Sequence, residues 1–274
     1  MIRATKIILL LLVLSSIANA EDPIKNKSDA VSATATKTLL KPLTPSKSVL
    51  PLKKEGGLWI DLKRKWVIVD GSVCLREGPL EMFICPAQTK EHESVITTPV
   101  DAEAVHTSLL AIGAKSGSPV QFNPEYKRAT GSVIDIVVVW IGEDKEITAS
   151  LAQDWIKRGN TRKTMHYAWV FGGSGYWKNP NTGKSIYYGN DGSLVCLSNF
   201  PTATIDLPVE SSNSNAARLY HANTDKIAPL NSQVRMIFVN RPNVDAEKIP
   251  KVLEQGSSLL KSVREWATKI GTTQ

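Results

Sequence analysis

Hydrophobic positions between Leu58 and Val239 come in short β-branched and aromatic runs separated by clusters of Gly, Asn, Asp and Pro. The segments Leu58–Leu62, Trp66–Val69, Leu80–Cys85, Glu93–Thr97, Ser132–Ile141, Tyr167–Trp177, Ser185–Tyr188, Ser193–Ser198 and Ser232–Val239 read as strands. Asp70-Gly71, Asn179-Pro180-Asn181-Thr182-Gly183 and Gly189-Asn190-Asp191-Gly192 read as hairpin turns, because Gly and Asn accept the positive φ of tight turns. Three adjacent antiparallel strands around 167–198 are therefore expected.

Helical spacing recurs in three places. Asp101 is an N-cap for 102–112, where Ala102, Val105, Leu109 and Ile112 form the apolar stripe and Gly113 the stop. A second helix is expected from about Ser214 to Ala222. A third, starting near Pro250, carries Val252, Leu253, Leu259, Leu260, Val263, Trp266 and Ile270 at spacings of three and four. Together these elements predict an α+β fold, a mostly antiparallel sheet with two or three helices packed on one face. Strand and helix do not alternate regularly, which argues against a doubly wound nucleotide-binding fold.

Before the body the texture changes twice. Residues 1–20 place Arg3 and Lys6 ahead of the apolar run Ile7–Leu14 and end in Ala18-Asn19-Ala20, the pattern of a secretory signal peptide. That run is too short for a membrane span, which needs about 20 apolar residues. Residues 21–56 contain no aromatic side chain and mix Ser, Thr, Ala, Pro and Lys, so they read as a flexible tether. The expected organisation is a signal at 1–20, a tether at 21–56, the α+β domain at 57–244 and a C-terminal amphipathic helix packed on it at 245–274. A secreted or periplasmic protein, with no transmembrane segment once the signal is removed, follows from this.

Charge then loses its first meaning. The 274 residues carry 33 Lys and Arg against 26 Asp and Glu, a net +7. Between 57 and 244, however, nineteen basic residues face eighteen acidic ones, and the excess belongs mainly to the signal and tether. A near-neutral body lacks the clustered basic face of a nucleic-acid binder, so no nucleic-acid partner is expected.

Familiar catalytic motifs are broken in this chain. Lys90-Glu91-His92-Glu93-Ser94 has the His-Glu of a zinc-protease helix, but Ile96 stands where the second His is required. Gly172-Gly173-Ser174-Gly175-Tyr176 fails the serine-elbow pattern because Tyr176 occupies the last Gly position. Three cysteines remain, Cys74, Cys85 and Cys196. In an oxidising compartment any two can pair, and Cys74 with Cys196 closes the longest loop. Cys85, His92, Glu93 and His106 are candidate ligands for zinc or copper, having the soft and borderline donors those ions take. His92 with Ser94 is a candidate hydrolase dyad. Tyr167, Trp169, Tyr176 and Trp177 are candidates to line a groove for a glycan or peptide.

Several of these segments resemble a known family. Asp70-Gly71 through Cys85, the Lys-x-His-Glu-Ser segment at 90–94, the helix end Leu109-Leu110-Ala111-Ile112-Gly113-Ala114, Asp154-Trp155-Ile156, Gly173-Ser174-Gly175 and Ser198-Asn199-Phe200-Pro201 are similar to bacterial secreted proteins that carry the YdjY domain. The resemblance spans roughly 57–240 and implies no particular activity. Its ferredoxin-like label implies an iron–sulfur cluster, but a [4Fe–4S] cluster takes four thiolates and the chain has 3 Cys. No cofactor is expected. The residues point first to a non-catalytic binding or structural module with an extracytoplasmic ligand or protein as partner. A metal or redox protein around Cys85 and His92, or a hydrolase, remain the alternatives.

Overall fold

A computed structural model describes residues 40–53, 56–159, 161–211, 219–242, 249–251 and 256–272. The expected signal peptide and the first part of the expected tether lie outside them.

The first half of the body comprises β1 (Val49–Pro51), β2 (Leu58–Asp61), β3 (Trp66–Val73), β4 (Pro79–Leu80), β5 (Met82–Pro86), β6 (Ser94–Thr98), α1 (Ala102–Ala111), β7 (Val133–Ile141) and β8 (Ile147–Leu151). It continues with β9 (Ile156–Arg158), β10 (Trp169–Val170), β11 (Tyr176–Lys178), β12 (Ser185–Tyr187), β13 (Val195–Cys196), β14 (Tyr220–Ala222), β15 (Gln233–Arg241) and α2 (Gly256–Thr272). A 10-stranded sheet runs in the order β10-β7-β15-β3-β6-β5-β13, with β2 and β1 added beside β3 and β8 beside β7. All its pairings are antiparallel except β5 with β6. Two smaller sheets complete the fold, the ribbon β11-β12 and the trio β4-β14-β9.

This corrects the expected α+β fold. The protein is mainly β, and its two described α-helices lie on opposite faces of the sheet. Along β3, Val67 and Val69 join the core beneath Val105 and Leu109 of α1. Trp66 and Ile68 point the other way, into a second core closed by Val263, Trp266 and Ala267 of α2. The Trp66 and Trp266 rings meet edge to face at 5.6 Å. A strand covered on both faces needs apolar residues at every position, and Trp66-Val67-Ile68-Val69 supplies them. Each such side chain, once buried, contributes about 1.5–3 kcal/mol.

Other expectations also shift. Of the helix expected at 214–222, residues 214–218 lie outside the described ones, and Tyr220–Ala222 is strand β14, paired with β4 and β9. The 167–198 region does not form three adjacent strands. Instead β10 joins β7, β13 joins β5, and β11 with β12 stand apart. Asp70-Gly71 is no turn but the middle of β3, where a Cβ on Gly71 would lie 2.6 Å from the Thr97 carbonyl oxygen. The ordered body starts before residue 57, since Leu43 and Val49 are buried and β1 pairs with β2.

Helix α1 has the expected cap, with the Asp101 carboxylate accepting the Ala104 N–H at 2.7 Å, and Gly113 follows its end at φ +89°. Lys53 reaches back to the same Asp101 carboxylate at 2.6 Å. At the far end of the sheet Arg241 of β15 engages the Asp135 carboxylate of β7 through two guanidinium nitrogens.

Candidate functional site

Two places bring chemically capable side chains together, the ribbon and the junction of β3, β5 and β6.

In the ribbon, the turn 179–184 fixes the register. Asn179 accepts N–H donors from Asn181 and Thr182, and Tyr176 falls opposite Tyr187, Trp177 opposite Ile186. Because side chains alternate along a strand, the ribbon acquires two unlike faces. The inner one is an anchor. Tyr187 is buried, its hydroxyl donating to the Gly173 carbonyl at 3.1 Å and lying 2.9 Å from His106 Nδ1 and 3.1 Å from Thr204 Oγ1. Burial pushes its phenol up to about 12. Tyr176 packs edge-on against that ring, and its hydroxyl donates to Glu103 of α1 at 3.0 Å. The outer face is apolar and open: Trp177 is 42% exposed, Ile186 45% and Tyr188, just past the strand, 40%. Gly175 leaves room for the Tyr188 ring, which a Cβ there would approach at 3.3 Å. Lys178 and Lys184 flank the tip.

The four aromatic candidates therefore part company. Trp169 is wholly buried, its indole N–H donating to the Cys196 carbonyl at 2.8 Å. Tyr167 is half-buried beside His166, with ring centroids 4.1 Å apart. Only Tyr176 and Trp177 share the ribbon, and they point to opposite sides of it. Trp177 belongs to an open apolar face. Its other members, Ile186 and Tyr188, are legible once the turn register is known.

At the second place, β6 runs between β3 and β5. Cys74 follows β3 directly and Cys85 lies in β5, on the far side of β6. The Cys74 thiol donates to the Ser94 carbonyl at 3.1 Å. Close by, the Ser94 hydroxyl donates to the Lys90 carbonyl at 2.7 Å and the Thr89 hydroxyl to the Pro86 carbonyl at 2.5 Å. The neighbouring Cys74 lowers the Cys85 thiol against the opposing effect of burial. The proximity of Cys85, together with burial, raises Cys74.

The remaining candidates are dispersed. All three cysteines are thiols, and Cys196, fully buried with Met82 and Ala203, is pushed well up by that burial. Cys74 thus neighbours Cys85, not Cys196. His92 is largely exposed, 3.9 Å from the buried Glu93 carboxylate. His106 belongs to the Tyr187 anchor and is lowered by burial, an effect the Gly173 backbone opposes. Ser94 is joined to Lys90, not to His92. His221 lies in β14, away from these groups in the sheet order. Among the described residues no three His, Cys, Asp or Glu side chains are gathered to hold a metal ion. Sequence reasoning missed the proximity of Cys74 and Cys85, because it arises through an intervening strand.

No described helix is long and apolar enough to cross a membrane. No curated protein and no solved structure matches the chain. The YdjY domain model matches residues 58–239, from β2 to the end of β15 but for two residues. The chain belongs to the YdjY-domain family.

Proposed function

We propose that this chain is a non-catalytic, extracytoplasmic binding module whose recognition surface is the outer face of the β11-β12 ribbon, and that it docks an extended peptide segment bearing apolar side chains. The leader-like pattern of residues 1–20 supports the location, and the exposed face of Trp177, Ile186 and Tyr188 carries the function. Contiguous large apolar side chains on the surface of a soluble protein mark interaction sites. Here three of them stand on one side of a ribbon whose other side is fastened by Tyr176 and Tyr187. A face that sets an aliphatic residue, Ile186, opposite an aromatic one, Trp177, suits peptide side chains better than the flat face of a sugar. The ribbon strands pair only with each other among the described residues, which leaves backbone groups on their outer edges for an added strand. Lys178 and Lys184 at the tip favour peptides with acidic flanks.

The test is binding of the full chain to a displayed peptide panel and, in parallel, to a glycan array. Peptides with aliphatic or aromatic residues are expected to bind, and Trp177→Ala/Ile186→Ala is expected to weaken them at least tenfold with thermal unfolding unchanged. Binding to glycans alone, peptide binding that survives the double substitution, or binding to neither panel overturns the proposal.

A further inference from the structure

A second hairpin belongs to a different sheet from the ribbon and carries charge where the ribbon carries apolar surface. Strand β9 is bonded to β14 on one side. On its other side the chain returns along it, with Lys157 opposite Thr164, the Arg158 N–H donating to the Lys163 carbonyl at 2.9 Å and the Met165 N–H to the Ile156 carbonyl at 3.0 Å. One end of this hairpin is buried and apolar, at Ile156 and Met165. The other is cationic, with Lys157, Arg158, Arg162 and Lys163 crowded into 157–163 and the last three exposed. None of the four makes an ion pair among the described residues, and no acidic residue occurs between Asp154 and Asp191. Arg158 stands directly opposite Lys163, and like charges so placed destabilise a pair of strands. Local folding does not call for them, because Thr161 fixes the turn through its N–H and hydroxyl, which donate to the Arg158 carbonyl at 3.1 and 2.6 Å. A body of nearly balanced charge has thus gathered four unneutralised cations in one place.

Their directions choose the partner. Alternation puts Arg158 and Lys163 on one side of the hairpin and Lys157 on the other, while Arg162 belongs to the turn. The charges surround an end and do not line a face. A linear polyanion is tracked along a groove with aromatic platforms, whereas a charged plane approached end-on meets all four cations together. Leu219 adds an apolar contact: its carbonyl accepts the Gly159 N–H at 2.8 Å, and the residue is 38% exposed there. Cations around an exposed apolar side chain suit the interfacial layer of a bilayer, where electrostatic attraction and apolar burial add. We propose that this end of the hairpin, Lys157, Arg158, Arg162 and Lys163 with Leu219, docks on the surface of an anionic phospholipid bilayer. The attachment is peripheral, with the cations among the lipid phosphates and Leu219 in the headgroup layer. Each Lys or Arg held at such a surface is worth roughly fivefold in partitioning, so the four together retain a chain that any one would release. Salt weakens the attachment by screening.

The decisive experiment sediments the protein, purified as cells produce it, with vesicles of phosphatidylcholine alone and with vesicles of equal parts phosphatidylcholine and phosphatidylglycerol. Binding to the mixed vesicles is expected, falling as salt is raised, with little to phosphatidylcholine alone. Arg158→Gln/Lys163→Gln should weaken it by at least about tenfold without lowering thermal stability, since it relieves an opposed pair. Lys63→Gln/Lys115→Gln, which removes the same charge from exposed positions elsewhere, should leave it within about twofold of the unaltered protein. Equal binding to both vesicle types, binding that survives the hairpin substitutions, or an equal loss in the second variant overturns the proposal. So does failure to bind mixed vesicles at low salt, displacement from them by free glycerol phosphate, which would mark a headgroup pocket, or tighter binding to a DNA oligonucleotide or heparin than to the vesicles. If the hairpin variant does not fold, as judged by circular dichroism, Arg162→Gln, which lies outside the paired positions, decides in its place by a loss of roughly fivefold or by none.

Discussion

Trp169 and Trp177 belong to one aromatic, glycine-broken stretch, yet one is enclosed and the other stands in solvent. Strand β10, which carries Trp169, is hydrogen-bonded to β7 on one side and reaches Asp206 on the other, through Val170 N–H to the Asp206 carbonyl at 2.9 Å and the reverse bond at 3.0 Å. Its tryptophan packs on Phe83 with centroids 5.6 Å apart. Among the described residues strand β11 pairs only with β12, and the face carrying Trp177 and Ile186 stays exposed. Between them, Gly173 at φ +90° and Ser174 at φ +53° turn the chain away from the sheet. Burial here follows from the number of layers around a strand, not from the side chain it bears.

The largest test of that contrast is Trp169→Ala. It leaves a cavity against Phe83 and removes the donor to the Cys196 carbonyl, and should lower unfolding free energy by about 5 kcal/mol, as measured by urea denaturation. A second test uses Asp206, which is fully buried beside β10 and whose carboxyl burial raises from 3.8 to about 7. Below about pH 4 the acid is neutral in both folded and unfolded chains. Between about pH 4 and 7 the folded chain keeps a proton that the unfolded one has lost, so this contribution to stability drains away as pH rises through 7, by about 4 kcal/mol in all. Asp206→Asn keeps an acceptor for the Leu207 N–H and removes the titration. It should be more stable than the parent at pH 8 and equal to it near pH 4.

On the ribbon the effects shrink. Tyr187→Phe strips the hydroxyl shared by Gly173, His106 and Thr204 and should destabilise by about 2 kcal/mol, while loosening peptide binding indirectly. Trp177→Ala should change stability by less than about 0.5 kcal/mol and yet weaken binding tenfold. If instead Trp177→Ala unfolds the chain as Trp169→Ala does, the contrast between the two regions fails.

Much of the architecture is legible in local signals. Asp101, the stripe Ala102, Val105 and Leu109, and Gly113 delimit α1 to within one residue at its end. Leu259, Leu260, Val263, Trp266 and Ile270 give the stripe of α2, and all five meet the second core. Local periodicity says that a helix has an apolar face but not which side of the sheet receives it, and so the two helices were expected on one face. The strands carry the contrary signal: Trp66-Val67-Ile68-Val69 and Val137-Val138-Val139 lack the polar alternation of a sheet open on one side. The candidate sites were less legible. Tyr176 and Trp177 read alike until the turn register separates them, and Cys74 and Cys85 become neighbours only through the long-range pairing of β3 and β5 with β6.

The position of β15 has a consequence for biosynthesis. It comes last among the described strands but is hydrogen-bonded between β3 and β7, seven register pairs on one side and eight on the other. Until residue 241 has emerged from the ribosome, β3 and β7 each present a long, apolar, unpaired edge, and neither half of the sheet can close. Such edges invite pairing with other chains. The nascent protein should therefore remain unfolded until late in synthesis and depend on whatever holds such edges apart.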